Sequence, residues 1–179
     1  MDDDQRLRLE QERFVEDVGI YLEEEGFPRM AGRILGWLLI CYPPRQSAGE
    51  LAEALQASRG SISTMTQLLT RIGLIERLGV PGERQDYFQI RPDAGTYLLR
   101  EEFRILRTGR EILERGRSLM DGQAPENRRR LEEFIDFYAF FEREWPDLLE
   151  RWERERERRA SDAQPRGEPL PEAAGGDRG

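Results

Sequence analysis

Histidine and lysine are both missing from these 179 residues, and Cys41 is the lone cysteine. Without histidine the usual zinc and copper ligands are gone, and so are the Ser-His and Cys-His pairs of nucleophilic catalysis. A single cysteine permits no intrachain disulfide, which suits a cytoplasmic protein without metal or cofactor. Cys41 ends an apolar stretch with no basic neighbour in sequence, so it reads as a buried structural thiol rather than a redox sensor. No apolar run approaches the roughly 18 residues of a membrane span. The opening MDDDQRLRLE is too acidic and polar for a signal peptide. No convergent carboxylate pair takes histidine's place, so an enzyme is not expected.

What the chain does have is charge. Charged residues make up 36% and hydrophobic ones 37%, which predicts a small core with long amphipathic helices around it. All 28 basic residues are arginine, whose planar fork suits phosphate. The net charge of −8 is unevenly spread: −7 over residues 1–25, +4 over 26–120 and −5 over 121–179. A polyanionic partner belongs to the mildly basic middle.

Apolar spacing predicts a helix over residues 5–25, ended by Gly26-Phe27-Pro28, and a buried second helix from Arg29 that Pro43-Pro44 stops. Ser47 and Glu50 form a capping-box pattern opening a short third helix, and Ser58 caps a fourth that runs to about Ile72 before Gly73. LIERLGV and RQDYFQI then alternate around Pro81-Gly82 as a hairpin. From Pro92 a long helix carries apolar doublets every seven residues, from Leu98/Leu99 to Leu119/Met120, with Gly109 and Gly116 in the same period as points of close helix approach. A final helical region spaces Leu131, Phe134, Tyr138, Phe141, Trp145, Leu148 and Trp152 by threes and fours as a seam, with a kink or a junction of two helices expected at Pro146. Residues 161–179 have the composition of a disordered tail.

That order describes a mainly α fold with a small β-hairpin: a winged helix-turn-helix at 26–92, an N-terminal helix at 1–25 and long C-terminal helices at 93–160 as dimerisation extensions. The fourth helix turns Ile62, Met65, Leu69 and Ile72 inwards and presents Arg59, Gly60, Ser63, Thr64, Gln67 and Arg71 outwards. Small residues at its leading end let it approach base edges; Arg can pair with guanine, Gln with adenine, and hydroxyls with base or phosphate oxygens. Ser61 joins this leading edge, and Arg84, just past the Pro-Gly turn, is the wing's candidate contact. Arg77 and Arg91 are weaker phosphate candidates. The candidate DNA-binding set is therefore Arg59, Gly60, Ser61, Ser63, Thr64, Gln67, Arg71 and Arg84. Double-stranded DNA is the expected partner, and a winged-helix protein-interaction module without DNA binding is the alternative. The two apolar seams call for a homodimer on their own account, and a two-fold dimer predicts a pseudo-palindromic operator. Tyr138, Phe141, Trp145 and Trp152 could form a cage for a quaternary ammonium, but their spacing is better explained by packing.

The motifs G-x-P-R-x-A-G-R at 26–33, Ser47 with the S-R-G-S-I-S run at 58–63, and the P-G-E-R turn before Tyr87-Phe88 resemble the MarR superfamily, specifically its GbsR-like branch, over roughly residues 14–120. The resemblance implies a homodimeric transcription factor, often a repressor responding to a small molecule, here of unknown identity. It implies a recognition helix at 58–71 and a wing at 82–87. The common MarR wing separates its acidic residue and arginine by one spacer, whereas Glu83 and Arg84 are adjacent.

Overall fold

The computed structural model describes residues 2–82 and 85–163, which divide into two units after Arg104. The first unit begins with α1 (Asp3–Glu24) and α2 (Arg29–Ile40). A capping box starts α1: the Asp2 carboxylate accepts the Gln5 amide at 2.8 Å, and the Gln5 side chain accepts the Asp2 amide at 3.3 Å. The two helices cross closely because Gly32 has no side chain; a Cβ there would lie 2.6 Å from the Val18 carbonyl oxygen. Arg33 fastens the crossing, meeting Glu16 at 2.6 Å and donating to the Leu55 carbonyl at 3.1 Å.

After α2 come β1 (Gln46–Ser47), α3 (Ala48–Ala54), α4 (Arg59–Arg71), β2 (Ile75–Gly79) and β3 (Asp86–Ile90). Ser47 and Glu50 make the predicted reciprocal cap on α3. Hydrogen bonds from the Ser47 amide and hydroxyl hold the Glu50 carboxyl below its usual range. Ile34, Leu51, Ile62, Leu69 and Ile75 are fully buried and form one core beneath the sheet and helices. Each such burial is worth about 1.5–3 kcal/mol. The sheet is antiparallel in the order β1-β3-β2. Thus the hairpin is real, but it has a third strand. Two residues are too few to show alternation, and Ser47 had already been accounted for as a helix cap.

Gly73 ends α4 with φ +75°, and a Cβ there would fall 2.1 Å from the Tyr97 ring. Arg91 covers that ring at 4.5 Å from its centroid. Gly73→Ala is therefore expected to destabilise the protein by about 2 kcal/mol in urea unfolding, combining left-handed strain with overpacking. A loss below about 1 kcal/mol would show that the ring yields freely.

α5 (Ala94–Ser118) starts in the first unit and ends in the second, where it forms an antiparallel hairpin with α6 (Pro125–Ala163). Tyr138 lies so close to Gly109 that a Cβ there would sit 2.6 Å from its ring, and Leu131 lies against Gly116. Arg110 pairs tightly with Glu142, and Arg107 reaches the same carboxylate at 3.7 Å. The doublets of α5 divide: Leu99, Leu106 and Leu113 are half-buried, whereas Leu98, Ile105 and Ile112 are exposed.

Three expectations for the last helix need correction. The buried position of its seam is Ile135, not Phe134, which is 61% exposed, and Leu148 likewise lies outside. A spacing of threes and fours permits either register; the inner line runs through Leu131, Ile135, Tyr138, Glu142 and Trp145. Secondly, of the kink and the junction expected at Pro146 the junction is absent, since α6 is one helix through it. Pro146 is on the exposed side, where water can serve the carbonyl left without an N–H partner. Thirdly, the helix extends into the expected tail as far as Ala163. Glu155 supports this last stretch through Arg159 and Arg158, whose hydrogen bonds lower its carboxyl pKa. The rest of the expected tail, 164–179, lies outside the described residues.

Candidate nucleic-acid interface

α3 and α4 are joined by a tight turn in which Gln56 takes φ 51° and Ala57 donates to the Ala52 carbonyl at 2.9 Å. Ser58 then caps α4, its hydroxyl oxygen accepting the Ser61 amide at 3.2 Å. Alanine at an N-cap costs about 1 kcal/mol, so Ser58 serves the helix start itself. Because each residue advances about 100°, Arg59, Gly60, Ser63, Thr64, Gln67 and Arg71 fall within an arc of about 140°. All six are exposed. Ile62 and Leu69 are fully buried on the opposite side, with Met65 and Ile72 half-buried beside them.

Ser61 departs from this set. It is half-buried at the edge of the exposed arc rather than within it. Thr66 is a polar residue in the core, 1% exposed, and its hydroxyl is bonded to the Ile62 and Ser63 carbonyls at 2.9 and 3.1 Å. The outward hydroxyls are also oriented by the helix: Thr64 donates to the Gly60 carbonyl at 3.0 Å, and Gln67 donates to Ser63 Oγ at 3.4 Å. These bonds leave oxygen lone pairs and the Gln67 carbonyl for an outside partner. Nothing crowds the leading end; a Cβ at Gly60 would meet no atom within 4 Å.

Beside this face lies a cleft of about 570 Å³ between α4 and the hairpin, with Gln67 and Arg71 on one wall and Arg77, Asp86 and Phe88 on the other. The strand register explains the second wall. Arg77 faces Phe88 and Gly79 faces Asp86, so these side chains share the sheet face turned to α4. Leu78 and Tyr87 occupy the outer face, where Arg45 stands 5.7 Å from the Tyr87 ring centroid. Arg77 was only a secondary candidate in the sequence, and Asp86 was not one; the cross-strand register that unites them is invisible there. Arg84 lies outside the described residues. Arg91, the other secondary candidate, is engaged by Asp93 and the Tyr97 ring, and the Asp93 hydrogen bond raises its pKa.

The other chemical candidates are packing elements. Burial pushes the Cys41 thiol above its ordinary pKa, and Sγ donates to the Pro43 carbonyl at 3.4 Å, so the reactive thiolate is disfavoured. Tyr138 covers Gly109 across the helix hairpin, and Phe141 packs 4.8 Å from Phe137 between centroids one turn away on α6 itself. Among the described residues no group of three Cys, Asp or Glu side chains is arranged to hold a metal, and no helix is long and apolar enough to cross a membrane.

A family model described as MmpR5-like MarR family transcriptional regulator matches residues 93–155. Over 139 residues the chain is 43% identical to the HTH-type transcriptional regulator MmpR5 of Mycobacterium tuberculosis, covering 78% of this chain and 84% of that protein. The crystal structure of a transcriptional regulator, 41% identical, superposes with a TM-score of 0.71 over 81% of this chain and 99% of that one.

Proposed function

The chain belongs to the MarR family of transcriptional regulators, among its MmpR5-like members, and on that premise we propose that it is a homodimeric repressor reading a pseudo-palindromic operator with α4 and its wing. The observation that carries the DNA-reading part is the exposed face of α4. Six small or hydrogen-bonding positions are aligned there, opposite a side that buries Ile62 and Leu69, beside a cleft flanked by Arg71 and Arg77. Short side chains at the leading end allow deep entry into the major groove, where Gln67 and Arg59 can meet base edges.

Homodimerisation is supported by apolar surface that one chain leaves uncovered. Apart from Leu39, Tyr42 and Leu119, every exposed large apolar side chain among the described residues lies on α1, α5 or α6. Solvent-facing stripes at heptad spacing on two helices are the pattern of an interface. A response to a small molecule is part of the same reading; family membership is its support. So is a cytoplasmic location, where the operator is. The finer resemblance to the GbsR-like branch rests on Pro28-Arg29 and the Pro81-Gly82-Glu83-Arg84 turn.

The test is anisotropy binding of the full chain to duplex DNA from upstream of its own gene, over a range of salt. Gln67→Ala is expected to change base preference by about 1–3 kcal/mol at one position and leave the salt slope alone. Arg84→Ala is expected to weaken all sequences and reduce the slope by about one. If both variants bind like the parent, these contacts are misassigned. Failure of the parent to bind any duplex, with a protein partner recovered instead, would favour an interaction module.

A further inference from the structure

Arg77 and Asp86 meet at 2.6 Å across the two wing strands, on the face that lines the cleft with α4. Arg71 stands on the opposite wall, exposed and with no ion-pair partner among the described residues. The cleft thus has a cation on each wall, one of them answered by a carboxylate. Neither member of that pair is committed to the core, since their side chains are 63% and 41% exposed. An ion pair this wet contributes little to folding, and its partners are free to exchange.

We propose that Asp86 is a built-in competitor for Arg77, a carboxylate that holds the guanidinium in the free protein and is displaced by a DNA backbone phosphate when the wing docks. This rests on α4 and the wing being the DNA-reading edge. A phosphodiester offers guanidinium the same geometry as a carboxylate, two oxygens matched to a planar fork. As long as Asp86 keeps Arg77, that fork is not available to a phosphate. Exchange leaves Arg77 and Arg71 on either side of one strand of the backbone. Off DNA the pair keeps the wing cation neutralised, which limits binding to duplex of any sequence.

The experiment measures anisotropy of the full-length chain on upstream and scrambled duplexes at several salt concentrations. Asp86→Asn should bind both roughly two- to fivefold more tightly, the worth of an exposed ion pair, with the salt slope unchanged. Arg77→Ala should reduce the slope by about one and abolish that gain, so that the double variant binds like Arg77→Ala alone. Asp86→Thr, which suits a strand, provides the same comparison should the asparagine variant melt early. No gain on removing the carboxylate would overturn the proposal. A gain that persists in the Arg77→Ala background would also overturn it, by showing general repulsion of DNA. Binding by the parent with no effect of Asp86 sinks this inference alone; absence of binding by the parent sinks the DNA-reading function with it.

Discussion

Replacing Ile112 and Phe137 together by aspartate is expected to convert the protein to a monomer and weaken operator binding by a hundredfold or more. Both side chains are 53% exposed in the single chain, and what Phe137 gives up is ring contact with Tyr138 and Phe141 on its own helix. In a dimer the same positions would bury two carboxylates without partners, and several kcal/mol per buried charge exceeds what an interface can absorb. Affinity should fall for a geometric reason. Two linked recognition helices gain roughly 10²–10⁴ over one by effective concentration alone, provided both half-sites are reached. Light scattering reads the first effect, and anisotropy on full and half operators reads the second. Helical content by circular dichroism should stay at the parent level. A dimer that survives the double substitution would place the interface elsewhere. Deleting residues 126–160 is a poorer test, because it also strips Tyr138 from Gly109 and Glu142 from Arg110 and exposes the inner face of α5.

Those two stripes show where sequence reading succeeds and where it stops. A seven-residue repeat of doublets revealed that α5 is apolar on one broad side. Which member of the doublets at 105/106 and 112/113 turns towards α6 depends on a partner helix that the repeat does not describe. In α6 the same ambiguity made Phe134 and Ile135 equivalent in sequence, since both share a side with Leu131 and Tyr138, and only Ile135 is buried. The two faces of α4 were legible because a cap, a 3.6-residue period and a terminal glycine all agree. Thr66 escaped that reading, since a threonine in a helix core is tolerated only when its hydroxyl bonds back to the preceding turn, as it does to Ile62. The Arg77–Asp86 pair was out of reach for another reason. It exists only through the register that sets Gly79 against Asp86, and a hairpin's register is decided by turn geometry as well as by pattern.

Gly60→Glu is expected to abolish operator binding while leaving the protein as stable as the parent, or slightly more so. Gly60 is the second residue of α4, and a Cβ there meets nothing within 4 Å, so the larger side chain enters open space. Two local terms favour the folded helix. Glutamate has better helix propensity than glycine by roughly half a kcal/mol or more, and a negative charge in the first turn gains about 0.3–1 kcal/mol from the helix dipole. The first turn of α4 carries no acidic residue in the parent, so nothing competes for that position. At the proposed interface the effect reverses. The carboxylate would stand between the helix start and the phosphates that its N–H groups and Arg59 would otherwise meet, and like charges juxtaposed across an interface cost several kcal/mol. A loss on the order of a hundredfold or more follows, with the slope of affinity against salt reduced because fewer phosphates are neutralised. Gly60→Ala separates size from charge: a methyl group in open space should reduce affinity several-fold at most. The two measurements, thermal melting and anisotropy, are expected to move in opposite directions for Gly60→Glu. A variant that melts at or above the parent temperature and still binds operator with parental affinity would remove the leading end of α4 from the DNA interface.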